Sequence, residues 1–295
     1  MKILVTGGAG FIGTNLIKRL LKEKHEVWSI DSYISGKEEN HVEGCKYIFY
    51  DVTELEPRHF RTGFVPDGVR EILDSVDVIF HLAALARIQP SLVAPHAAVY
   101  NNVHGTLNIL NYAKRKNTQV IYAGSSSYHH GLYGSPYAWS KHSGEQLCKL
   151  YSEVYQLNTS ICRFYNVYGP HQLETGDYST VIGIFERQMR DEEPLTITGT
   201  GEQRRDFTHV DDIVDGLYRC MGKEFKAEIF ELGRGENHSI NEIADMFGGE
   251  KEYIPARKGE YDITLCDYTK AKEMLGWVPK INLPDYIQRR EILNK

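Results

Sequence analysis

Apolar positions in the first half of the chain recur in two alternating rhythms. Short consecutive runs at 2–6 (KILVT), 26–30 (EVWSI), 46–50 (KYIFY), 77–82 (DVIFHL) and 119–123 (QVIYA) read as buried strands. Between them lie apolar residues at helical spacing, such as Phe11, Ile12, Leu16, Leu20 and Leu21 within 11–23. The clearest longer helical patterns are 98–116 and 137–155. Strands alternating with helices imply right-handed crossovers and a parallel sheet covered on both faces. The expected class is α/β, with a doubly wound parallel sheet.

After residue 165 the rhythm breaks. Loops carrying Gly and Pro alternate with shorter helical patterns at 180–190, 210–221, 239–247 and 268–275. The reading is a nucleotide-binding domain over 1–165 and a smaller, mixed substrate lobe, mainly 166–295, against the carboxyl edge of the sheet. Segments 158–167 and 207–233 are expected to return to the larger domain.

Composition narrows the partners. The 295 residues carry a formal net charge of −6 and no long basic run, so nucleic acid is not an expected partner. A polyanionic small molecule needs only a few local cations and stays open. The five cysteines (Cys45, Cys148, Cys162, Cys220, Cys266) are scattered and form no CxxC pair, which reads as reduced thiols in the cytoplasm. Met1–Val5 runs straight into a strand, so no signal peptide is expected. No apolar stretch approaches the ~20 residues of a membrane span. No metal-ligand spacing appears.

Candidate chemistry begins at Thr6–Gly13 (TGGAGFIG), a Gly-rich turn between a strand and a helix. Gly7 suits the tight turn, Gly10 the approach of a pyrophosphate to the backbone, and Gly13 close helix–strand packing. The helix start at Phe11 and Ile12 offers unpaired N–H groups to phosphate. Asp31 ends the second strand 18 residues after Gly13, where a carboxylate accepts ribose hydroxyls and repels a 2′-phosphate. NAD is therefore favoured over NADP, with Lys37 as the one nearby cation of concern, and the sheet is expected to be Rossmann-type. Asp51 and Val52 suit an adenine pocket; the small run Leu82, Ala83, Ala84 lets backbone pass close to a ribose. His81 reads as a core histidine in preference to a catalytic one.

Tyr137 and Lys141 are four residues apart on one helix face (YAWSK), downstream of Ser125-Ser126-Ser127 at a strand end. Hydroxyl, phenol and ammonium can converge on one substrate alcohol. Free Tyr titrates near ~10, too high for a base at neutral pH. A unit positive charge at ~5 Å, with effective dielectric ~20, contributes about 3 kcal/mol, or roughly two pKa units. Lys141 is expected to supply that charge and to bond the nicotinamide ribose. Ser126 is expected to orient the alcohol, with Ser127 next in line.

In this order GGAGFIG, HLAA, SSS and YAWSK resemble the extended short-chain dehydrogenase/reductases, specifically the NAD-dependent epimerase/dehydratase family. The likeness continues through Arg163–Pro170, Arg205–Asp212, Arg257–Glu260 and Lys270–Trp277, nearly the whole chain. It implies that Asn166 donates to a sugar-nucleotide diphosphate and that Arg205 and Arg257 neutralise it. Arg204 and Arg205 could instead be a solvated pair, and Arg257 a loop charge. Asp211 and Asp212 fit a helix N-terminus.

Dehydratases and decarboxylases of the family keep an acidic residue directly after the catalytic hydroxyl, whereas Tyr128-His129-His130 follows Ser127 here. That favours 4-epimerisation of a nucleotide sugar, with transient hydride transfer to bound NAD. The usual VYG is replaced by Tyr128–Gly131, and only nine residues separate Ser127 from Tyr137. The resemblance also implies that the small Thr264 admits N-acetylated sugars, so the expected substrate is a UDP-hexose or UDP-N-acetylhexosamine. It further implies a homodimer formed through 98–116 and 137–155. Competing readings are a dehydratase, decarboxylase or reductase of the same family, and a non-catalytic dinucleotide sensor.

Overall fold

Seven strands line up in one parallel sheet at the centre of the computed structural model, which describes residues 1–55, 65–257, 259 and 261–293. Strands β1 (Lys2–Thr6), β2 (Glu26–Asp31), β3 (Lys46–Phe49), β4 (Val78–His81), β5 (Gln119–Ser125), β6 (Thr159–Phe164) and β7 (Lys226–Leu232) stand in the order β7-β6-β5-β4-β1-β2-β3. The order reverses between β1 and β4. That switch point opens a crevice beyond the strand carboxyl ends. Strand β6 lies within segment 158–167 and β7 within 207–233.

Alternate residues on each strand feed opposite faces. Ile3, Val5, Phe80 and Ile121 pack with helix α1 (Phe11–Lys22) on one side, while Leu4, Ile79, Val120 and Tyr122 pack on the other with α2 (Gly105–Lys116) and α3 (Pro136–Tyr155). The apolar spacing in α1 places Leu16, Ile17 and Leu20 fully in the core. Burial of each such side chain stabilises by roughly 1.5–3 kcal/mol. The first face is completed by α4 (Val210–Cys220), through Val210, Ile213, Val214 and Leu217.

Two expectations need correction. The pattern over 98–116 is not one helix: a short helix at Pro95–Val99 runs through a π turn at Tyr100–His104 into α2. The helix at Thr269–Leu275 does not pack in the smaller lobe. Ala271, Leu275 and Trp277 join the core beside α1 and α4, and the Trp277 indole donates to the Asp212 carbonyl at 2.8 Å. The Asp212 carboxylate accepts from Lys280 and Ile281, 3.0 Å each, fastening the last segment to α4.

The smaller lobe has its own core, built from Ile182, Phe185, Leu195, Ile197, Phe207, Ile243 and Phe247. Among its short pairings, Arg204–Asp206 runs antiparallel to Asn237–Ser239. Among the described residues, no helix is long and apolar enough to cross a membrane.

Candidate active site

A cavity of about 1000 Å³ follows the switch point and reaches into the smaller lobe. Its first half is shaped by glycines. Gly7 has φ +75°, and a Cβ there would press on the Ala83 backbone. A Cβ on Gly13 would overlap the Gly7 carbonyl oxygen, so Gly13 serves packing. Gly10 differs: the nearest atom to an added Cβ is the Gly7 oxygen at 3.3 Å, and the rest is open. The space beyond Gly10 belongs to the cavity, as an approaching pyrophosphate requires. Helix α1 starts at Phe11 and has no side-chain cap, leaving its first N–H groups available to an anion.

Asp31 is nearly buried at the end of β2. Its carboxylate accepts from Ala9 N–H at 2.9 Å and Tyr33 N–H at 2.8 Å, which fixes it beside the glycine turn and leaves lone pairs facing the cavity. Lys37 pairs with Glu39 at 2.9 Å, so its charge is already answered. One Asp51 oxygen caps Thr53, with both bonds at 2.8 Å; Asp51, Val52, Leu82, Ala83 and Ala84 all line the cavity. These features fit NAD. His81 bridges Thr6 at 2.8 Å and Thr106 at 3.0 Å, and burial holds its pKa down to about 3, so it is a neutral core histidine.

The second half gathers the polar chemistry. Ser135 caps α3 by accepting from Ala138 N–H at 3.1 Å, and Pro136 sits in the first turn. The phenol of Tyr137 donates to Ser125 Oγ at 3.2 Å. The serine beside the phenol is thus Ser125, not Ser126, because Ser125 is the last residue of β5 and faces α3. Ser126 and Ser127 line the cavity, and the buried Ser127 hydroxyl has no hydrogen-bond partner among the described residues.

Lys141 packs against β5. Its ammonium lies 4.3 Å from the centre of the Tyr122 ring, and burial brings its pKa down to about 8. Burial raises the Tyr137 pKa, against the hydrogen bond shared with Ser125 and the positive charge of Arg87. Arg87 is a cation that eases ionisation of the phenol.

At the substrate end, strand alternation separates the two arginines. Arg204 turns outward to Glu242 and Asn237, both at 2.9 Å, while Arg205 lines the cavity. Arg257 is exposed at the cavity wall. Lys258 and Glu260, quoted with it, lie outside the described residues. Asn166 lines the cavity, but its amide donates to the Asp206 carbonyl at 2.8 Å and Thr264 Oγ1 at 3.2 Å. Both N–H bonds are used within the protein, so the expected donation to diphosphate is not available in this arrangement. Asp206 is fully buried and accepts from the backbone N–H of Arg234, Gly235 and Cys266 at 2.7–3.0 Å. Thr264 is buried beside it, and its hydroxyl accepts from Asp206 N–H at 2.9 Å as well as from Asn166.

The unusual Tyr128-His129-His130 segment has a structural role. Arg163 forks onto Glu145 at 2.6 and 3.0 Å, reaches Glu231 at 2.9 Å and lies 3.6 Å from the Tyr128 ring centre. His129 meets the same Glu231 at 2.8 Å, and His130 stacks on Tyr261. Neither histidine lines the cavity.

Three residues escaped the sequence reading. A Cβ on Gly8 would collide with Ser29 and Ile17. Asn102, in the π turn, exchanges bonds with Leu85 N–H (2.8 Å) and carbonyl (3.2 Å) and donates to Ser140 at 2.9 Å, tying the loop after β4 to α3. Such turns often mark functional sites. Arg87, on that loop, lines the cavity and donates to the Tyr178 carbonyl at 3.1 Å. A lone arginine in the run Leu85-Ala86-Arg87-Ile88 was its only sequence signal.

Comparison with known proteins agrees with this geometry. The model of the NAD dependent epimerase/dehydratase family matches residues 3–233. A putative UDP-glucose 4-epimerase of Methanocaldococcus jannaschii is 31% identical over 97% of this chain and 96% of its own. A UDP-glucuronate 4-epimerase of Thermodesulfobacterium geofontis is 33% identical over 97% and 94%. The crystal structure of a UDP-glucose 4-epimerase from Thermotoga maritima, with UDP-glucose, superposes with a TM-score of 0.89 at 30% identity, covering 99% of this chain and 100% of that one.

Proposed function

The chain belongs to the NAD dependent epimerase/dehydratase family, and from that premise we propose that it is a nucleotide-sugar 4-epimerase acting on a UDP-linked hexose. Thr264, smaller than the bulky residue of similar epimerases, leaves room for an N-acetyl group at C2. The observation that carries the reading is the convergence of Tyr137, the serine turn and the glycine turn on one cavity.

In the proposed roles, Gly7, Gly10, Phe11, Ile12 and Gly13 receive the pyrophosphate, Asp31 a ribose, and Asp51, Val52, Leu82, Ala83 and Ala84 the rest of the adenosine half. Bound NAD supplies a reversible hydride acceptor. Tyr137 holds the proton of the C4 hydroxyl and returns it. Ser125 positions the phenol, while Ser126 and Ser127 face the sugar. Lys141 sits within the cavity wall, where a nucleotide ribose would draw its ammonium from the Tyr122 ring. Arg205 and Arg257 answer the diphosphate of the substrate. Segments 1–165 and 207–233 act as the NAD-binding domain, and the rest of 166–295 mainly holds the sugar nucleotide.

Dehydration or decarboxylation draws less support. No carboxylate of the serine turn faces the cavity: Glu145 and Glu231 are engaged by Arg163 behind it. A homodimer is favoured by exposed Trp139, Leu150, Val154 and Tyr155 on α3 and Tyr100 beside α2. Free cysteines suit a reducing cytoplasm.

The test is incubation with NAD and UDP-, dTDP-, GDP- and CDP-sugars, with products read by NMR. The expected outcome is interconversion at C4 with no net use of cofactor. Tyr137→Phe should lower turnover by roughly 10²–10⁴-fold, the usual contribution of acid–base catalysis, while NAD binding persists. Near-full activity in that variant would remove the phenol from the mechanism.

A further inference from the structure

We propose that His129 is a positioning residue for the reaction: by bonding Glu231 it pins the outer end of the serine turn to the sheet, and so holds the serine hydroxyls and the phenol beside them in working geometry. This rests on the epimerase reading for the roles of those groups and adds what keeps them in place.

Ser125 is the last residue of β5 and stands in register with Phe164 of β6, so the sheet places its backbone. Beyond it the chain leaves the sheet in a tight turn, Ser126–His130. At the near end Ser127 N–H donates to Ser125 Oγ at 3.2 Å, the same oxygen that accepts from the Tyr137 phenol. Turn backbone and phenol thus share one acceptor, and a shift of the turn is felt at the phenol. At the far end His129 Nε2–H donates to Glu231 Oε1 at 2.8 Å.

Glu231 is itself firmly held. Gly124, Arg163 and Glu231 stand in register across β5, β6 and β7. Arg163 Nη1 donates to the same Glu231 oxygen at 2.9 Å, while Nε and Nη2 hold Glu145 of α3. Tyr165 donates to the other Glu231 oxygen at 3.0 Å. Gly124, just before Ser125, lies flat on this pair: an added Cβ would stand 3.0 Å from both Arg163 Cγ and Glu145 Oε1. The cluster therefore joins three strands to the helix that carries Tyr137. Two carboxylates share one guanidinium, which leaves Glu231 a strong acceptor for an imidazole N–H. The Tyr128 ring packs on Arg163 beside it.

His129 does not line the cavity, and its side chain is 42% exposed. A purely structural contact in so open a place would add little to stability and nothing to the chemistry. A positioning contact would show mainly in the chemistry, because small misplacements of reacting groups are costly.

The experiment compares NAD-loaded wild type, His129→Ala and His129→Gln, whose amide nitrogen reaches about as far as the imidazole Nε2. Tyrosine isotope-labelled at the ring carbon bearing the hydroxyl reports on the phenol by NMR without any substrate, and Tyr137→Phe identifies the signal. The Tyr137 signal should move in His129→Ala and return in His129→Gln. Rapid mixing with UDP-glucose, and separately with UDP-N-acetylglucosamine, then reads reduction of the nicotinamide. Its rate should fall roughly ten- to a hundredfold in His129→Ala at an unchanged half-saturating concentration, and recover in His129→Gln. Thermal melts should stay close to wild type in both variants.

An unmoved Tyr137 signal in His129→Ala would overturn the proposal, whatever the reaction proves to be. So would weaker sugar-nucleotide binding at an unchanged rate, which would make His129 a substrate contact, or a His129→Gln as impaired as His129→Ala. A shifted and rescued Tyr137 signal, with neither sugar epimerised by the wild type, supports the positioning role and counts against the epimerase reading alone.

Discussion

Replacing Lys141 by Met should stabilise the protein at neutral pH, and the gain should vanish in alkali. Lys141 is 4% exposed, and burial lowers its pKa from 10.5 to about 8. Below about pH 8 the ammonium is charged in both folded and unfolded chains, and the folded state bears the full desolvation cost. Between about pH 8 and 10.5 the unfolded chain keeps a proton that the folded chain has released, so wild-type stability rises with pH. Above 10.5 the handicap is gone. At 1.36 kcal/mol per unit the displacement amounts to about 3 kcal/mol. Met is of similar length and never charged. The difference in unfolding free energy, Met minus Lys, should therefore shrink by about 3 kcal/mol across the window. Losing the contact with the Tyr122 ring offsets part of the gain at neutral pH, on the order of 0.5–2 kcal/mol. Urea titrations of nucleotide-stripped protein at several pH values through this window measure it directly. A difference that stays flat with pH would refute the claim that this ammonium is desolvated.

The two glycines of the turn should separate stability from binding. Gly13→Ala should destabilise by on the order of 1–3 kcal/mol through overpacking, whereas Gly10→Ala should melt near the wild-type temperature and lose NAD affinity at least roughly tenfold; paired melts and NAD titrations check both. Asp31→Ala should weaken NAD binding and relax discrimination against NADP, and unchanged selectivity would show that Asp31 does not hold the ribose. Arg257 is exposed, so its replacement by Ala should shift stability by less than about 0.5 kcal/mol. The same change should weaken nucleotide-sugar binding by about 1.5–3 kcal/mol, measurable by calorimetry.

Local patterns carried the sheet and the first half of the cavity into view. Strand runs, the glycine spacing and the Tyr137–Lys141 interval are short-range features, and strand and helix periods translate them directly into position. What was hidden depends on direction at atomic scale. Three consecutive serines look alike in a sequence, yet only Ser125 closes β5 facing the phenol. The i, i+4 interval puts Lys141 on the right helix face but does not show that Tyr122, from a strand beneath, receives its ammonium. Asn166 was legible as a cavity residue, and the partners that occupy its amide come from 206 and 264, far along the chain. The π turn in 95–104 keeps the apolar rhythm nearly intact, so periodicity reads through it. Arg87 stands alone in a small apolar run, and its place on the cavity wall is a tertiary fact.

Asp206 works as a buckle. One carboxylate joins two other stretches of chain, 234–235 and 266, to its own, and its immediate neighbours in sequence or space are Arg205 and Thr264. The far rim of the cavity therefore takes part of its placement from this one buried anchor, beside the strand pairing of Arg204–Asp206 with Asn237–Ser239. Loosening that anchor would let all three stretches drift at once, so recognition of the sugar nucleotide should fail abruptly, while the strands beneath the glycine turn stay in register.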